Sequence, residues 1–454
     1  MTTANQSLEI IPIENILQGA LLPYEVLDNQ HTNAAYPKQK LEIRNGGYGS
    51  DAAAHPTHPN QFYALTDRGP NADYKGSLGD GKQFLLPDYT PRIGLFEIQP
   101  HGEIKKVKEI LLKDANGTPI TGLPNPKALG GTNEIPYDVS GEPMIVNPEL
   151  PFDEVSNPLR TDINGLDPEG LAALEDGTFW ISDEYGPHLV HYDADGVEVH
   201  RINPFTNDSR NNVMVNDTPL LLPLELSKRR ANRGMEALTI TPDQTTLVGI
   251  IESSMDNPDK SGRLSTLLRM VTINLITGAI SQYLYQLDKP HHVTSGLIAL
   301  SNHKFYLIEH DRKFPLQKPE AQKLIYKINI ANATDIETLT DSKTLKQDDA
   351  LGLLVDGQTL EQFINTHEDG WEQLADLGIR PIHKSLAVNV LKAIDYPHDK
   401  LEGIWLRQDG SIGLLNDDDF GMTDDDGQLE QKYLDANKTM EDANRLYVVK
   451  PSTD

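Results

Sequence analysis

The feature that most constrains the fold is a divergent repeat of two short apolar runs joined by a turn, with polar residues at matched ends. Gly165-Leu-Asp-Pro-Glu169-Gly-Leu-Ala-Ala-Leu174 leads through Asp176-Gly177 to Thr178-Phe-Trp-Ile-Ser-Asp183-Glu184. Gly234-Met-Glu236-Ala-Leu-Thr-Ile240 leads to Leu247-Val-Gly-Ile-Ile-Glu252, and Ser295-Gly-Leu-Ile-Ala-Leu300 to Phe305-Tyr-Leu-Ile-Glu309. Leu401-Glu402-Gly-Ile-Trp-Leu406 leads to Ile412-Gly-Leu-Leu-Asn416-Asp417, and Ser50-Asp51-Ala-Ala-Ala54 to Phe62-Tyr-Ala-Leu-Thr-Asp67-Arg68. Runs of this length separated by Asp-Gly turns read as antiparallel hairpins. In each copy a small or acidic residue opens the first strand and a polar residue follows 14 to 16 positions later. A hairpin of that length brings both positions to one end.

Radial repetition of such units is a β-propeller, whose blades each lend a few side chains to one mouth of a central channel. A sandwich would give regular strands but no reason for acids at one phase of the repeat. The expected fold is therefore all-β, a β-propeller of five countable blades. Up to seven are allowed, because 114–160 and 341–398 are poorly patterned. The whole chain, 1–454, reads as one propeller domain. Ser7-Leu-Glu-Ile-Ile-Pro-Ile13 is expected to close the last blade, within a 1–13 segment that covers its edge. Helical periodicity is confined to 359–391, inside an insertion spanning 341–398.

Composition narrows the function. With 40 Lys+Arg against 68 Asp+Glu the net charge is −28, which excludes nucleic acid as a partner, since phosphate backbones are held by basic faces. Charge this negative also disfavours anionic lipid. Cysteine is absent, excluding disulfides, thiolate zinc sites and cysteine nucleophiles. No apolar run reaches the 18 residues of a membrane span, so no membrane insertion is expected. The first residues lack the basic and apolar regions of a signal peptide, leaving a cytoplasmic protein or one whose signal has been removed.

If the repeat is radial, Asp51, Asp67, Glu169, Asp183, Glu184, Glu236, Glu252, Glu309, Glu402 and Asp417 converge. Packed carboxylates repel one another unless a cation neutralises them. An all-oxygen set favours Ca²⁺, with Mg²⁺ or Mn²⁺ also possible. The alternative is that each acid caps backbone amides of a neighbouring blade. Arg68, Arg233 and Arg312, with Lys400 beside Glu402, suit an anionic ester; ion pairing within the acidic ring is the competing reading. His310 offers a general acid or base, or a structural histidine. The run Asn416-Asp-Asp-Asp-Phe-Gly-Met-Thr-Asp-Asp-Asp-Gly427 fails calcium-loop spacing in either register, and Asp424 to Asp426 read as a solvated loop.

Asp167-Pro-Glu-Gly170 with Phe179-Trp-Ile-Ser-Asp-Glu-Tyr-Gly-Pro187 resembles the signature of the phytase-like family, described as having the esterase-like activity of phytase. Ala64-Leu-Thr-Asp-Arg-Gly-Pro-Asn71, Asn232-Arg-Gly-Met-Glu236, Leu401-Glu-Gly403 and Asn416-Asp-Asp-Asp-Phe-Gly421 are similar to its other blocks. Met235 and Ala237 stand where the family more often has an aromatic residue and glycine. The resemblance implies a propeller hydrolysing phosphoric esters, by analogy with calcium-dependent propeller phytases, and export to the periplasm or the extracellular space. The expected metal ligands are Asp67, Glu169, Asp183, Glu236, Glu252, Glu309, Glu402 and Asp417. The expected catalytic groups are Arg68, Arg233, Glu184 and His310, Glu184 also lying within reach of the metal. The expected substrate is a small anionic ester, and the expected state a monomer. A metal-dependent lactonase or carboxylesterase, and a non-catalytic calcium-stabilised binding propeller, are the competing functions.

Overall fold

The computed structural model describes residues 9–131 and 134–452. Among them are five four-stranded antiparallel sheets, arranged in chain order. The first comprises Asp51–Ala54, Gln61–Leu65, Arg92–Ile98 and Ile104–Leu111. Pro168–Ala173, Phe179–Asp183, Leu189–Tyr192 and Glu198–Ile202 form the second. The third is Met235–Ile240, Thr246–Ile251, Leu267–Asn274 and Ile280–Gln286. The fourth joins Val293–Ala299, Lys304–His310 and Lys323–Asn329 to His383–Asn389. Gly403–Leu406, Ile412–Leu415 and Arg445–Val449 make the fifth, with Ala20–Leu21 as outer strand. The turns obey local chemistry: in Asp176-Gly-Thr178 the aspartate accepts the Thr178 amide at 2.9 Å and its hydroxyl at 2.7 Å, and Gly177 takes φ 86°.

Most of these strands are buried on both faces, as expected of sheets covered on two sides. Each pair of consecutive sheets shares one apolar cluster. Tyr63 and Leu65 meet Leu171 and Phe179 between the first and second sheets, and Trp180 meets Leu238 and Leu247 between the second and third. Val248 and Met270 pack on Leu297 and Phe305, and Ile308 and Ile325 on Ile404 and Leu414. The last cluster returns to the start: Trp405 and Leu446 pack on Phe62 and Phe96, with the Phe62 and Trp405 rings stacked at 4.4 Å. The first strands of the five sheets contact one another in the same cyclic order, the fifth against the first.

Two sequence expectations are corrected here. Of the segment expected to close the fifth sheet, residues 7 and 8 lie outside the described residues and 9–13 contain no strand. The outer strand is Ala20–Leu21, paired antiparallel with Arg445 and Leu446. Before it, the Gln18 side chain bonds both the amide and the carbonyl of Val448, at 3.0 and 3.1 Å. The helical stretch is also broken rather than continuous: helices run Leu360–Thr366, Gly370–Asp376 and, at its end, Val390–Ala393. His383–Asn389 is a strand, completing the fourth sheet against Lys323–Asn329.

Residues 330–382 are thus inserted between the third and fourth strands of the fourth sheet. Thr359 caps the first helix reciprocally with Gln362. Leu353, Leu360 and Phe363 of the insertion pack on Leu267 and Leu284 of the third sheet. Beneath them Arg269 and Glu361, both fully buried, pair at 2.7 and 3.0 Å. No helix among the described residues is long and apolar enough to cross a membrane.

Two further hairpins matter for the site. Asn71–Gly76 with Gly79–Phe84 projects between the second and third strands of the first sheet, and Ile135–Tyr137 adds to it in parallel. Met422–Asp425 with Gln428–Gln431 projects from the equivalent connection of the fifth sheet. Because those sheets are neighbours, the hairpins touch.

Candidate functional site

At the starting ends of the first strands lies a cavity of about 230 Å³, lined among others by Asp67, Arg68, Asp167, Glu169, Glu184, Glu236, Arg312, Lys400 and Glu402. Backbone irregularity places the central acids. The strand pairing slips by one residue at Glu169, between Pro168 and Gly170, and again at Glu236, between Met235 and Ala237. A bulge leaves one residue out of the ladder and re-aims its side chain. Glycine allows the sheets to converge: a Cβ on Gly234 would lie 2.5 Å from Glu184 Cα. At Gly296, the fourth sheet's counterpart of Glu169 and Glu236, a Cβ would lie 2.2 Å from the Glu402 carbonyl oxygen. The fourth sheet accordingly contributes no acid at that position.

Among the described residues three sets of carboxylates each have oxygens within 4.8 Å of one another: Asp167, Glu169 and Glu184; Glu169, Glu236 and Glu402; Glu184, Glu236 and Glu252. Every pair of sets shares one glutamate, and all six residues are buried. Glu236 Oε2 and Glu252 Oε2 are enclosed with no hydrogen-bond partner, and Asp167 Oδ2, also without one, has Arg68 Nε 3.3 Å away. Burial, then the charges of Glu236, Asp167 and Glu184, raises the Glu169 carboxyl well above its ordinary range. Glu236 is raised well above its usual value by burial and by Glu252 and Glu184, and Glu184 is pushed up to about 8 by burial and by Glu252 and Asp167. Enclosed, mutually repelling oxygens with orphaned lone pairs fit a hard divalent cation, and the all-oxygen donor set is that of Ca²⁺, Mg²⁺ or Mn²⁺.

Several residues expected at the mouth have other employment. Asp51 accepts the amides of Ala52 and, in the neighbouring sheet, Leu171, both at 2.8 Å. Asp183 sits behind the cavity: its Oδ1 accepts the amides of Gly186 and His188 at 3.2 and 2.7 Å, and burial pushes its carboxyl up to about 6. Asp183 ends its strand and Glu184 follows it, so their side chains point to opposite sides and Glu184, not Asp183, lines the cavity. Glu309 does not join the cluster, because its strand runs on through His310 and keeps it in the ladder. It instead accepts from Tyr285, the Asp288 amide, His292 and Lys384 at 2.6–2.8 Å. His310 is fully buried, with Nδ1 2.7 Å from the Asp311 carbonyl. Burial and Lys323 depress its pKa far below the usual value, so it stays neutral away from the cavity.

Arg233 and Arg312 both bond Glu252 Oε1, and despite burial their charge lowers the Glu252 carboxyl. Glu252 is therefore a neutralised member of its set. Asp417 accepts from Lys400 at 2.5 Å and from the Asp419 amide at 2.9 Å. Asp67 accepts the Gly69 amide at 2.7 Å, and burial with Asp167 and Asp417 raises its pKa well above normal. Arg68 reaches Glu134 at 2.9 Å and Asp167 at 3.3 Å, and bonds Asn232.

Sequence reasoning missed Asp167, Asn232, Asp399, Asp419 and Lys82, all lining the cavity. Asp167 stood two residues before Glu169 in the same block, and Asp399 three before Glu402, which is a readable signal. Lys82 is carried by a hairpin outside the repeat and had none. Asp424 also lines the cavity, as part of the Met422–Asp425 strand rather than a loop.

A secreted protein of Arthroderma benhamiae, described as uncharacterized, is 29% identical over 236 residues, which are 47% of this chain and 45% of that relative. The chain thus spans less than half of that relative's length. Among solved structures, a periplasmic gluconolactonase of Pseudomonas aeruginosa is 10% identical, with 93% of this chain and 92% of that one covered and a TM-score of 0.29. A family 43 arabinoxylan arabinofuranohydrolase of Bacillus subtilis is 11% identical, covering 90% and 69%, with a TM-score of 0.35. The sequence profile of one family matches residues 43–420, most of the chain and every carboxylate lining the cavity except Asp424. The chain belongs to the phytase-like family, described as having the esterase-like activity of phytase.

Proposed function

We propose that the protein is a five-bladed β-propeller working as a metal-dependent hydrolase of phosphoric esters. The cyclic packing of the five sheets supports the architecture. Family membership supports a hydrolase. The observation that carries the chemistry is the set of three carboxylate groups linked through Glu169, Glu184 and Glu236, with Glu236 Oε2 enclosed and unpartnered.

Asp167, Glu169, Glu184, Glu236 and Glu402 would hold one or more divalent cations, calcium in the first instance. A bound cation would supply charge to polarise a phosphoryl oxygen and acidify a water. Without a cation Glu184, pushed up to about 8, carries a proton near neutrality, and that proton would leave as the cation binds. Arg312 and Lys400 keep the surrounding carboxylates oriented, and the two touching hairpins wall the cavity against bulk water. The proposed substrate is a small anionic ester, taken by a monomer that binds no nucleic acid. Export is proposed in view of the secreted relative.

The test is turnover of phosphomonoester and phosphodiester reporters with Ca²⁺, Mg²⁺ or Mn²⁺, and its loss on chelation. Glu169→Gln, with an unchanged circular dichroism spectrum, should be inactive. Turnover of lactones but no phosphoester would overturn the substrate class. Turnover of neither, with melting raised by calcium, would leave a binding propeller.

A further inference from the structure

Four cations line the cavity among the described residues: Arg68, Lys82, Arg312 and Lys400. Three are bound to buried acids. Arg68 pairs with Asp167, which is 1% exposed; Lys400 pairs with Asp417, at 4%. Arg312 pairs with the fully buried Glu252, and its charge also holds down Glu236 and Glu402. Drawing any of these toward a substrate would strip compensation from a buried carboxylate, which is strongly unfavourable. Lys82 differs. Its side chain is 16% exposed and its amine pairs at 2.6 Å with Asp73, whose side chain is 75% exposed. An exposed partner is readily rehydrated and such pairs are weak. Lys82 sits opposite Asp73 in the hairpin, close enough to help hold down the Asp167 carboxyl.

Resting on the hydrolase reading above, we propose that Lys82 is the residue that takes the substrate's non-bridging anionic oxygen, exchanging Asp73 for the ester. It thereby selects anionic over neutral esters, while the arginines of the cavity remain structural counter-charges. An ammonium is suited to this exchange, being a compact charge on a flexible stem. A wider polar space of about 980 Å³ adjoins the cavity between the hairpins and gives the remainder of an ester room beside Asp73 and Tyr74.

The test is steady-state kinetics of the metal-loaded protein on p-nitrophenyl phosphate and on neutral p-nitrophenyl acetate. Lys82→Gln should raise KM for the phosphate ester about tenfold or more, the loss of a charged hydrogen bond, with kcat within about threefold. Lys82→Arg should recover most of the affinity, and Asp73→Asn should lower KM. An unchanged KM in Lys82→Gln, or an equal rise for the acetate ester, overturns the proposal. Failure of the wild type to hydrolyse any phosphoester would sink the phosphoester reading alone, because Lys82 can still be tested by titrating inorganic phosphate into the manganese-loaded protein. Binding weakened about tenfold by Lys82→Gln supports the assignment; equal affinity in both, or no binding to the wild type, overturns it.

Discussion

Replacing Glu236 with glutamine separates a metal site from a self-satisfied acid cluster, because the two give opposite signs. Glu236 is 4% exposed and belongs to two of the three carboxylate sets, facing Glu169, Glu402, Glu184 and Glu252. At the 4.8 Å limit of those sets, two ionised carboxylates in an effective dielectric near 20 repel by about 3 kcal/mol. Protonation of Glu184 and the charge of Arg312 relieve part of this. In chelator at pH 8, Glu236→Gln should therefore stabilise the protein by roughly 2–3 kcal/mol. Unfolding entropy of about 2.1 cal/mol/K per residue over 454 residues comes to about 1 kcal/mol/K, so Tm should rise by about 2–3 °C. Calcium at a hundred times its dissociation constant would add about 2.7 kcal/mol to the wild type, or about 3 °C. The variant, short of one ligand charge, should gain less than half of that. Differential scanning calorimetry in EDTA and in CaCl₂ reads all four values. A variant that melts below the wild type by the same margin in both buffers would refute the reasoning and make Glu236 a structural residue.

Other expectations follow from the same geometry. Above pH 6.5 the chelated protein should lose stability as pH rises toward about 8.5. Glu184 and Asp418, each raised to about 8, bind protons in the folded state that the unfolded chain has released. Below pH 6.5 the fall should be shallower, since buried His188 and His310 are held neutral while the unfolded chain's histidines gain protons and offset part of the carboxyl excess; a Tm profile in EDTA that stays flat from pH 6.5 to 8.5 would contradict this. Trp405→Ala should cost about 3–5 kcal/mol, read by denaturant unfolding, because the ring stacks on Phe62 where the fifth sheet meets the first. Arg269→Met or Glu361→Leu alone should cost about 3–5 kcal/mol, while the two together should recover most of it; a double-mutant cycle with strictly additive losses would count against the buried pair.

The repeat was legible because each hairpin places its acids by counting. Glu169, Glu236 and Glu402 open their strands at one phase, and the sheets bring them together. The count failed wherever the ladder is irregular. Beside the slip at Glu169 it is Glu184, one residue past the counted Asp183, that lines the cavity, and no periodicity reveals a one-residue bulge. In the fourth sheet the acid is replaced by Gly296 for want of space, so Glu309, correctly spaced, has no partner across the ring and serves Tyr285 and Lys384 instead. The outer strand was misplaced because Ala20–Leu21 is two residues long and carries no alternation. Lys82, Asn232 and Asp419 come from connections between strands, where only tertiary packing decides which side chains share a cavity.

The closing sheet combines residues 20–21 with 403–449, so it cannot exist until nearly the whole chain has been synthesised. Four sheets can stack behind the ribosome while the fifth is still being made, yet Glu402 joins Glu169 and Glu236 only when that fifth sheet docks. A cation held by all three would therefore bind late, and would fasten the second, third and fifth sheets together across the axis. Such an ion would be a completion signal as well as a reagent: a nascent or truncated chain lacking the last strands would neither close nor retain it.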